Sequence, residues 1–370
     1  MTAPTDPVTP ADLRRALLAH LAGDTPAAEA GYRRALTNPA LAPVARPHLA
    51  HLLDDNHRFE DALEFRREAV SAQPQDDAAK LELAIALLRL GHYAEGWPLY
   101  EARFGNPVTA ADRPKLPQPE WDGAPIRTLT VWDEQGVGDA ILFSRFVPAL
   151  RGRGVEPTLI CRPSLAALFE GLGVEVIPAK GRIRTPAADA WAMIGSLPGR
   201  LGVDEASLPG PAPYLAAPSD RRALWGPRIG PGARVGVVGR GNPAAGNDAA
   251  RSLPPEGVAF LYTLPGAVSL TPGHSPLPLR DFADTAAVVE RLDLVITVDT
   301  AVAHLAGALG KPCWLLLSYV GADWRWGLDR TDSPWYPSMK LYRQPAPGDW
   351  ASVLRAVATD LPAFLGREKA

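Results

Sequence analysis

Along the first hundred residues the apolar positions fall at helical spacing, and small residues recur at a longer one. Ala16, Ala50 and Ala84 are spaced by 34, and so are Ala28, Ala62 and Gly96. Tyr32 and Tyr100 share one register with Arg66 between them, Ala35 and Ala69 share another, and Pro39 and Pro74 fall near the expected ends. Paired helices that cross closely need small residues at the crossing, so the period predicts three helix hairpins beginning near Thr9, Pro43 and Asp77. The last is expected as helices over 78–90 and 94–104, with the turn at Gly91-His92-Tyr93. From Thr128 onward the pattern changes to short apolar runs alternating with helical stretches. Strands are predicted at 129–132, 158–161 and 174–177, with helices at 140–150 and 164–172 between them, and Tyr214-Leu215 closing the unit. A second alternation begins at 234–238 and continues through 258–262 and 268–270. Helices follow at 285–292 and 301–309, with strands at 294–298 and 313–317. Such β-α-β alternation makes parallel sheets. A final helix, 350–365, is expected to pack back across both units.

The hairpin period matches the tetratricopeptide (TPR) signature, which stacks into a solenoid with a concave face. The α/β part reads as two Rossmann-like units with a ligand site beyond the carboxyl ends of their strands. Residues 106–126 carry Pro114, Pro117, Pro119 and Pro125 and read as a connector, with Trp121-Asp122-Gly123 as a turn docking an aromatic. The expected domains are 9–107 (repeats), 125–222 (first Rossmann-like unit), 232–346 (second) and 347–366 (the C-terminal helix).

Composition narrows the classes of function. With 38 basic and 41 acidic residues the net charge is −3, which makes no electrostatic case for nucleic acid or an anionic membrane. Cys161 and Cys313 have neither metal nor disulfide spacing, so a reducing cytoplasm is expected. The N-terminal stretch lacks a basic start and an apolar core, so no secretory signal is expected, and no apolar run approaches membrane-span length.

Four segments carry candidate chemistry. Glu134-Gln135-Gly136-Val137-Gly138-Asp139 follows a strand and opens a helix, where free N–H groups can meet an anion. It lacks the third glycine of a dinucleotide fingerprint, and Glu156 precedes the next strand instead of ending it, which argues against a dinucleotide enzyme. The same residues equally describe a plain strand-to-helix turn capped by Asp139. At 299–312, Asp299 or Thr300 caps a helix whose first-turn amides, from Ala301 on, can bind a phosphate. His304 lies one turn along on the Thr300 face and can donate to the same anion; the alternative is a capped core helix with a buried His. A glycine-rich loop from Gly241-Asn242-Pro243 through Asn247-Asp248 leads to Arg251-Ser252, and it reads equally as a site where Arg251 clamps a phosphate or as a solvated surface loop. Asp323-Trp324-Arg325-Trp326, with Trp335-Tyr336 beyond, reads as exposed aromatics suited to sugar or base stacking, or as a loop packed by its Trp residues.

Taken together, "DEQGVGDAILFSRFVPAL", "GNPAAGNDAARSLP", "DLVITVDTAVAHLAGALGKPCWLLL" and "DWRWGLDRTDSPWYPSMKLYRQP" resemble the bacterial TPR proteins with a C-terminal GT-B glycosyltransferase domain, a domain similar to the ADP-heptosyltransferases of family 9. The resemblance covers essentially the whole chain. It implies an α solenoid plus an α/β GT-B pair of Rossmann-like domains, and a metal-independent, inverting transfer with no cofactor beyond the nucleotide-sugar substrate. It implies Asp139 as general base, with Glu134, Gln135 and Gly138 on the acceptor side. Asn242, Arg251, Ser252, Asp299, Thr300, Ala301 and His304 fall on the donor side. The implied partners are a nucleotide-sugar donor and a protein or peptide acceptor held by the repeats. A non-catalytic TPR adaptor and, more weakly, a nucleotide-sugar epimerase are the alternatives. The chain departs from the family in carrying Ala301 where heptosyltransferases usually have Gly. Around Gly-Asn-Pro it has Gly239-Arg240 and Ala244-Ala245, where many TPR relatives have Trp with a small residue, and His.

Overall fold

The computed structural model describes residues 7–106, 113–207, 213–232, 234–244, 246, 248–271 and 277–367. Part of the expected connector (107–112), including the expected end of the repeats at 107, lies outside the described residues, and so does Asn247. Two compact units divide near residue 110.

Among its described residues the first unit holds six α-helices: α1 Pro10–Leu21, α2 Thr25–Ala35, α3 Ala42–Asp55, α4 Phe59–Ala72, α5 Asp77–Arg89 and α6 Tyr93–Tyr100. Local chemistry sets their starts. Asp24 accepts from the amide of Ala27, and Asp76 from those of Ala78 and Ala79. The turn inside each pair holds one left-handed residue, at Gly23, His57 and Gly91, again spaced by 34. Glycine adopts that conformation without steric cost, while His57 takes it at a penalty. The recurring small residues Ala16, Ala28, Ala50, Ala62 and Ala84 are all buried, as the crossings require. The last helix is shorter than expected. Pro98 sits inside α6, which ends at Tyr100 and tightens into a 3₁₀ turn over Glu101–Phe104.

The second unit contains two parallel sheets. In chain order come β1 Thr128–Trp132, α7 Val137–Ser144, α8 Phe146–Ala149, β2 Glu156–Cys161, α9 Pro163–Phe169, β3 Glu175–Pro178, β4 Ala190–Met193 and α10 Leu197–Leu201. After α11 Ser219–Trp225 follow β5 Val235–Val238, α12 Asp248–Arg251, α13 Pro255–Tyr262, β6 Ala267–Ser269, α14 Phe282–Arg291, β7 Leu294–Val298, α15 Ala301–Ala308, β8 Cys313–Leu317, β9 Met339–Arg343 and α16 Trp350–Arg367. The sheet orders are β3-β2-β1-β4 and β6-β5-β7-β8-β9. Each sheet grows outward from its first strand and then reverses, so β1/β4 and β5/β7 flank topological switch points, where ligands of such sheets bind.

Three expectations change. The first sheet is closed by β4, whose register with β1 runs Leu129 to Ala190 through Trp132 to Met193. Tyr214 and Leu215 instead donate their amides to the Ala308 carbonyl. The short β4 is wholly buried and lacks alternation, so its pattern does not announce a strand. The expected helix 140–150 is broken into α7, α8 and a 3₁₀ turn, with Pro148 in its last stretch. The C-terminal helix lies on the second sheet: Trp350, Val353, Val357, Leu361 and Leu365 join one core with Val235, Ile296 and Leu316. The connector does dock an aromatic. Trp121 is buried, its indole donating to the Ala124 carbonyl at 2.8 Å.

Candidate active site

The loop after β1 is built by carboxylates turned inward. Asp133 accepts from the amide and the Nε of Arg162, whose Nη2 also reaches the Gln135 carbonyl. Glu134 is buried and accepts from the Gly195 amide at 3.0 Å, so it ties the β1 end to the β4 end. Gln135 is exposed and held at a φ of +57°, a conformation that a non-glycine residue keeps only when its surroundings fix it. Gly136 then caps α7, and Asp139 in the first turn folds back to accept its amide at 2.9 Å. The capping reading of Asp139 therefore holds for one of its oxygens.

The other oxygen faces a different element. Asp139 Oδ1 accepts from Arg325 Nη2 at 2.5 Å, and Arg325 lies in the segment between β8 and β9. Arg325 is held in turn by Asp323, whose two carboxylate oxygens both accept from Nη1 at 2.9 Å. The guanidinium also lies 4.6 Å from the Trp324 ring and 5.3 Å from the Phe143 ring. Burial raises the Asp139 carboxyl above the usual carboxylate range, with Arg325 acting against it.

The N-terminus of α7 meets the N-terminus of α15. A Cβ on Gly138 would lie 2.7 Å from His304 Cδ2 and 3.5 Å from Ala301 Cα, so only glycine allows the approach. Gly138 therefore serves helix contact, and Ala301 is part of the surface it meets. His304 is buried. Its ring stacks on Trp326 with centroids 5.1 Å apart, and its Nδ1 lies 3.0 Å from the Tyr336 hydroxyl. Burial, then the nearby Arg325 cation, pushes its pKa down to about 3, so it is a neutral imidazole. Asp299 accepts from the Trp326 indole at 3.0 Å. Burial, followed by the neighbouring Asp323 carboxylate, pushes Asp299 up to about 7, with Arg251 among the cations opposing it. Thr300 Oγ1 lies 3.0 Å from Thr297 Oγ1. Since Thr297 gives its own proton to the Val298 carbonyl, Thr300 is the donor of that pair.

The loop after β5 uses most of its polar groups on itself. Asn242 accepts from the Ala244 amide, Ser252 accepts from the Gly241 amide, and Arg251 Nε reaches Asp248 at 3.3 Å. Arg251 and Asp299 thus stand on the two loops of the second switch point, while Asn242 and Ser252 shape the first of those loops.

The segment from Asp323 to Tyr336 decides between its two readings. Trp324, Arg325, Trp326, Trp335 and Tyr336 are buried, so they pack the loop and do not form an exposed stacking surface. They nevertheless bring Arg325 to Asp139 and Trp326 to Asp299. Arg145, unlike Arg325, belongs to none of the four candidate segments. It is buried over the Tyr214 and Tyr336 rings at 4.5 and 4.8 Å, and donates to the Trp335 carbonyl. A lone arginine in the apolar run Ala140–Leu150 was the signal available.

Residues 276–316 match the model of Glycosyltransferase family 9 (heptosyltransferase). That segment spans α14 to β8 and contains Asp299, Thr300, Ala301 and His304. The chain is also similar to Protein FlbA of Caulobacter vibrioides, with 29% identity over 338 residues, covering 78% of this chain and 56% of that protein. It thus spans about half the length of that relative. Among solved structures it is similar to a family 9 glycosyl transferase from Veillonella parvula (12% identity, TM-score 0.45, covering 65% of this chain and 97% of that one). It is also similar to the ADP-heptose lps heptosyltransferase II of E. coli (13% identity, TM-score 0.44, covering 66% and 100%). These structural likenesses are distant. Among the described residues no helix is long and apolar enough to cross a membrane.

Proposed function

We propose that the chain is a glycosyltransferase that moves a sugar from a nucleotide-sugar donor to a hydroxyl acceptor, by inversion and without a metal ion. The observation that carries this is the meeting of the α7 and α15 N-termini, with Asp139 on one and Asp299-Thr300 on the other. The family 9 match over the α15 segment supports it. In the reaction, the acceptor oxygen attacks the anomeric carbon as its proton passes to Asp139. The bond from that carbon to the diphosphate oxygen breaks, and the electron pair leaves on the nucleoside diphosphate. Amides at the start of α15, with Arg251 nearby, stabilise that charge.

The six-helix unit fits three tetratricopeptide repeats, with left-handed turn residues at Gly23, His57 and Gly91. We assign it the grip on a protein or peptide acceptor. Its first 105 residues carry 11 basic and 15 acidic groups, a net −4 that suits a mildly basic partner segment. A cytoplasmic setting fits a nucleotide-sugar donor.

The test is calorimetry with ADP, UDP, GDP, CDP and dTDP in EDTA. One of them should bind. If none binds, the donor site is misassigned.

A further inference from the structure

Within that proposed reaction Asp139 must do two things that its surroundings oppose. It must be ionised, because only a carboxylate takes a proton. It must also stay in place, although its helix begins at a glycine and its loop carries a left-handed Gln135. The side chain is only 21% exposed. The charged or titratable groups around it are Glu134 from the end of β1, Asp323 and Arg325 from the segment after β8, and His304 of α15, which packs on the adjacent Gly138. Asp323 and Glu134 are acids, which disfavour a further negative charge. His304 is neutral. The Gly136 amide gives one hydrogen bond. The cation in direct contact is Arg325.

We infer that Arg325 is the positioning residue that keeps Asp139 ionised and aimed, and that the base is complete only when the two halves of the α/β unit are docked as here. The geometry is specific to that task. Asp139 stands on α7 behind the first sheet's switch point, while Arg325 comes from beyond β8 of the second sheet. Arg325 cannot drift, because Asp323 takes its Nη1 with both oxygens and two aromatic rings flank the guanidinium. One Nη2–H is thereby left pointing at Asp139 Oδ1. Separating the halves would take the cation away from the carboxylate and leave it the hydrogen bond from the Gly136 amide. Base strength would then be tied to closure of the enzyme around donor and acceptor.

The experiment follows the Asp139 carboxyl itself. Full-length protein labelled with ¹³Cγ-aspartate is titrated by NMR, and the Asp139 signal is assigned by its loss in Asp139→Asn. In Arg325→Gln the midpoint should rise by about 1–3 pH units, the effect of losing an opposite charge at contact. Arg325→Lys keeps the charge on a shorter, single-point donor and should show a smaller rise. An unmoved midpoint in Arg325→Gln, or equal rises in Gln and Lys, would overturn the inference. Should Arg325→Gln fail to fold, the Lys variant decides alone: a rise supports the inference and an unmoved midpoint overturns it. A purely architectural Arg325 would change stability in these variants without moving the Asp139 titration. The result is separable from the glycosyltransferase reading. If no nucleoside diphosphate binds wild type, that reading fails, while the titration still reports on Arg325.

Discussion

Gly138 and His304 lie so close that a single methyl group on the glycine would sit 2.7 Å from the imidazole Cδ2. That contact joins α7, which follows the first strand of one sheet, to α15, which follows β7 of the other. Gly138→Ala should therefore destabilise the protein by about 1–3 kcal/mol through overpacking. Urea unfolding of Gly138→Ala, His304→Ala and the double variant checks it. The double variant should be less destabilised than the sum of the two, because removing the ring makes room for the methyl.

Donor binding is assigned to the second sheet's switch point. Thr300→Val and Arg251→Ala should each weaken the nucleoside diphosphate that binds by about 1–3 kcal/mol, the value of a hydrogen bond to a charged group. Thr300 must first release Thr297, its present acceptor at 3.0 Å. Calorimetry returning wild-type affinity in both variants would remove this loop pair from the donor site.

Asp139→Asn preserves an oxygen to accept the Gly136 amide, so α7 should keep its cap. It removes the proton acceptor. Transfer should fall by ~10²–10⁴ with donor affinity almost unchanged. A fully active Asn variant would leave Asp139 with its capping role alone.

Two groups of the site make opposite contributions to stability against pH. His304 falls from an ordinary 6.5 to about 3, so below 6.5 the unfolded chain binds a proton the folded chain refuses, and stability drops as pH falls. Asp299 rises from 3.8 to about 7, so in that window the folded chain keeps a proton that the unfolded chain has lost, and stability drops as pH rises. Asp299→Asn removes the second effect. Relative to wild type it should gain stability as pH rises from 3.8 toward neutral. Parallel denaturation curves for the two proteins across that range would contradict the assignment.

The helical unit is expected to recognise the acceptor and not the donor. A chain starting at residue 113 should bind the same nucleoside diphosphate as the full chain but fail to modify a protein acceptor. Normal transfer by the shortened chain, read by mass spectrometry of the acceptor, would take recognition away from the helices.

The sequence by itself determined the elements whose signal is local. Helix pairs were legible because small residues must repeat wherever helices cross, and Ala28, Ala62 and Gly96 mark those crossings. Strands such as Leu294–Val298 and Cys313–Leu317 were legible because a strand buried on both faces must be apolar throughout. Asp139, Asp299 and Thr300 stood out because each follows a strand and opens a helix. Tertiary structure decided what those residues face. Nothing local says that β4 completes the first sheet, since parallel pairing depends on chain returning from far away. Nothing in Asp-Trp-Arg-Trp distinguishes an exposed platform from a buried brace. The folded chain sends Arg325 across 186 positions to Asp139 and sets the Trp326 indole on Asp299. Their environments, and hence their proton affinities, come from desolvation and charges supplied by distant segments, which no sequence window contains.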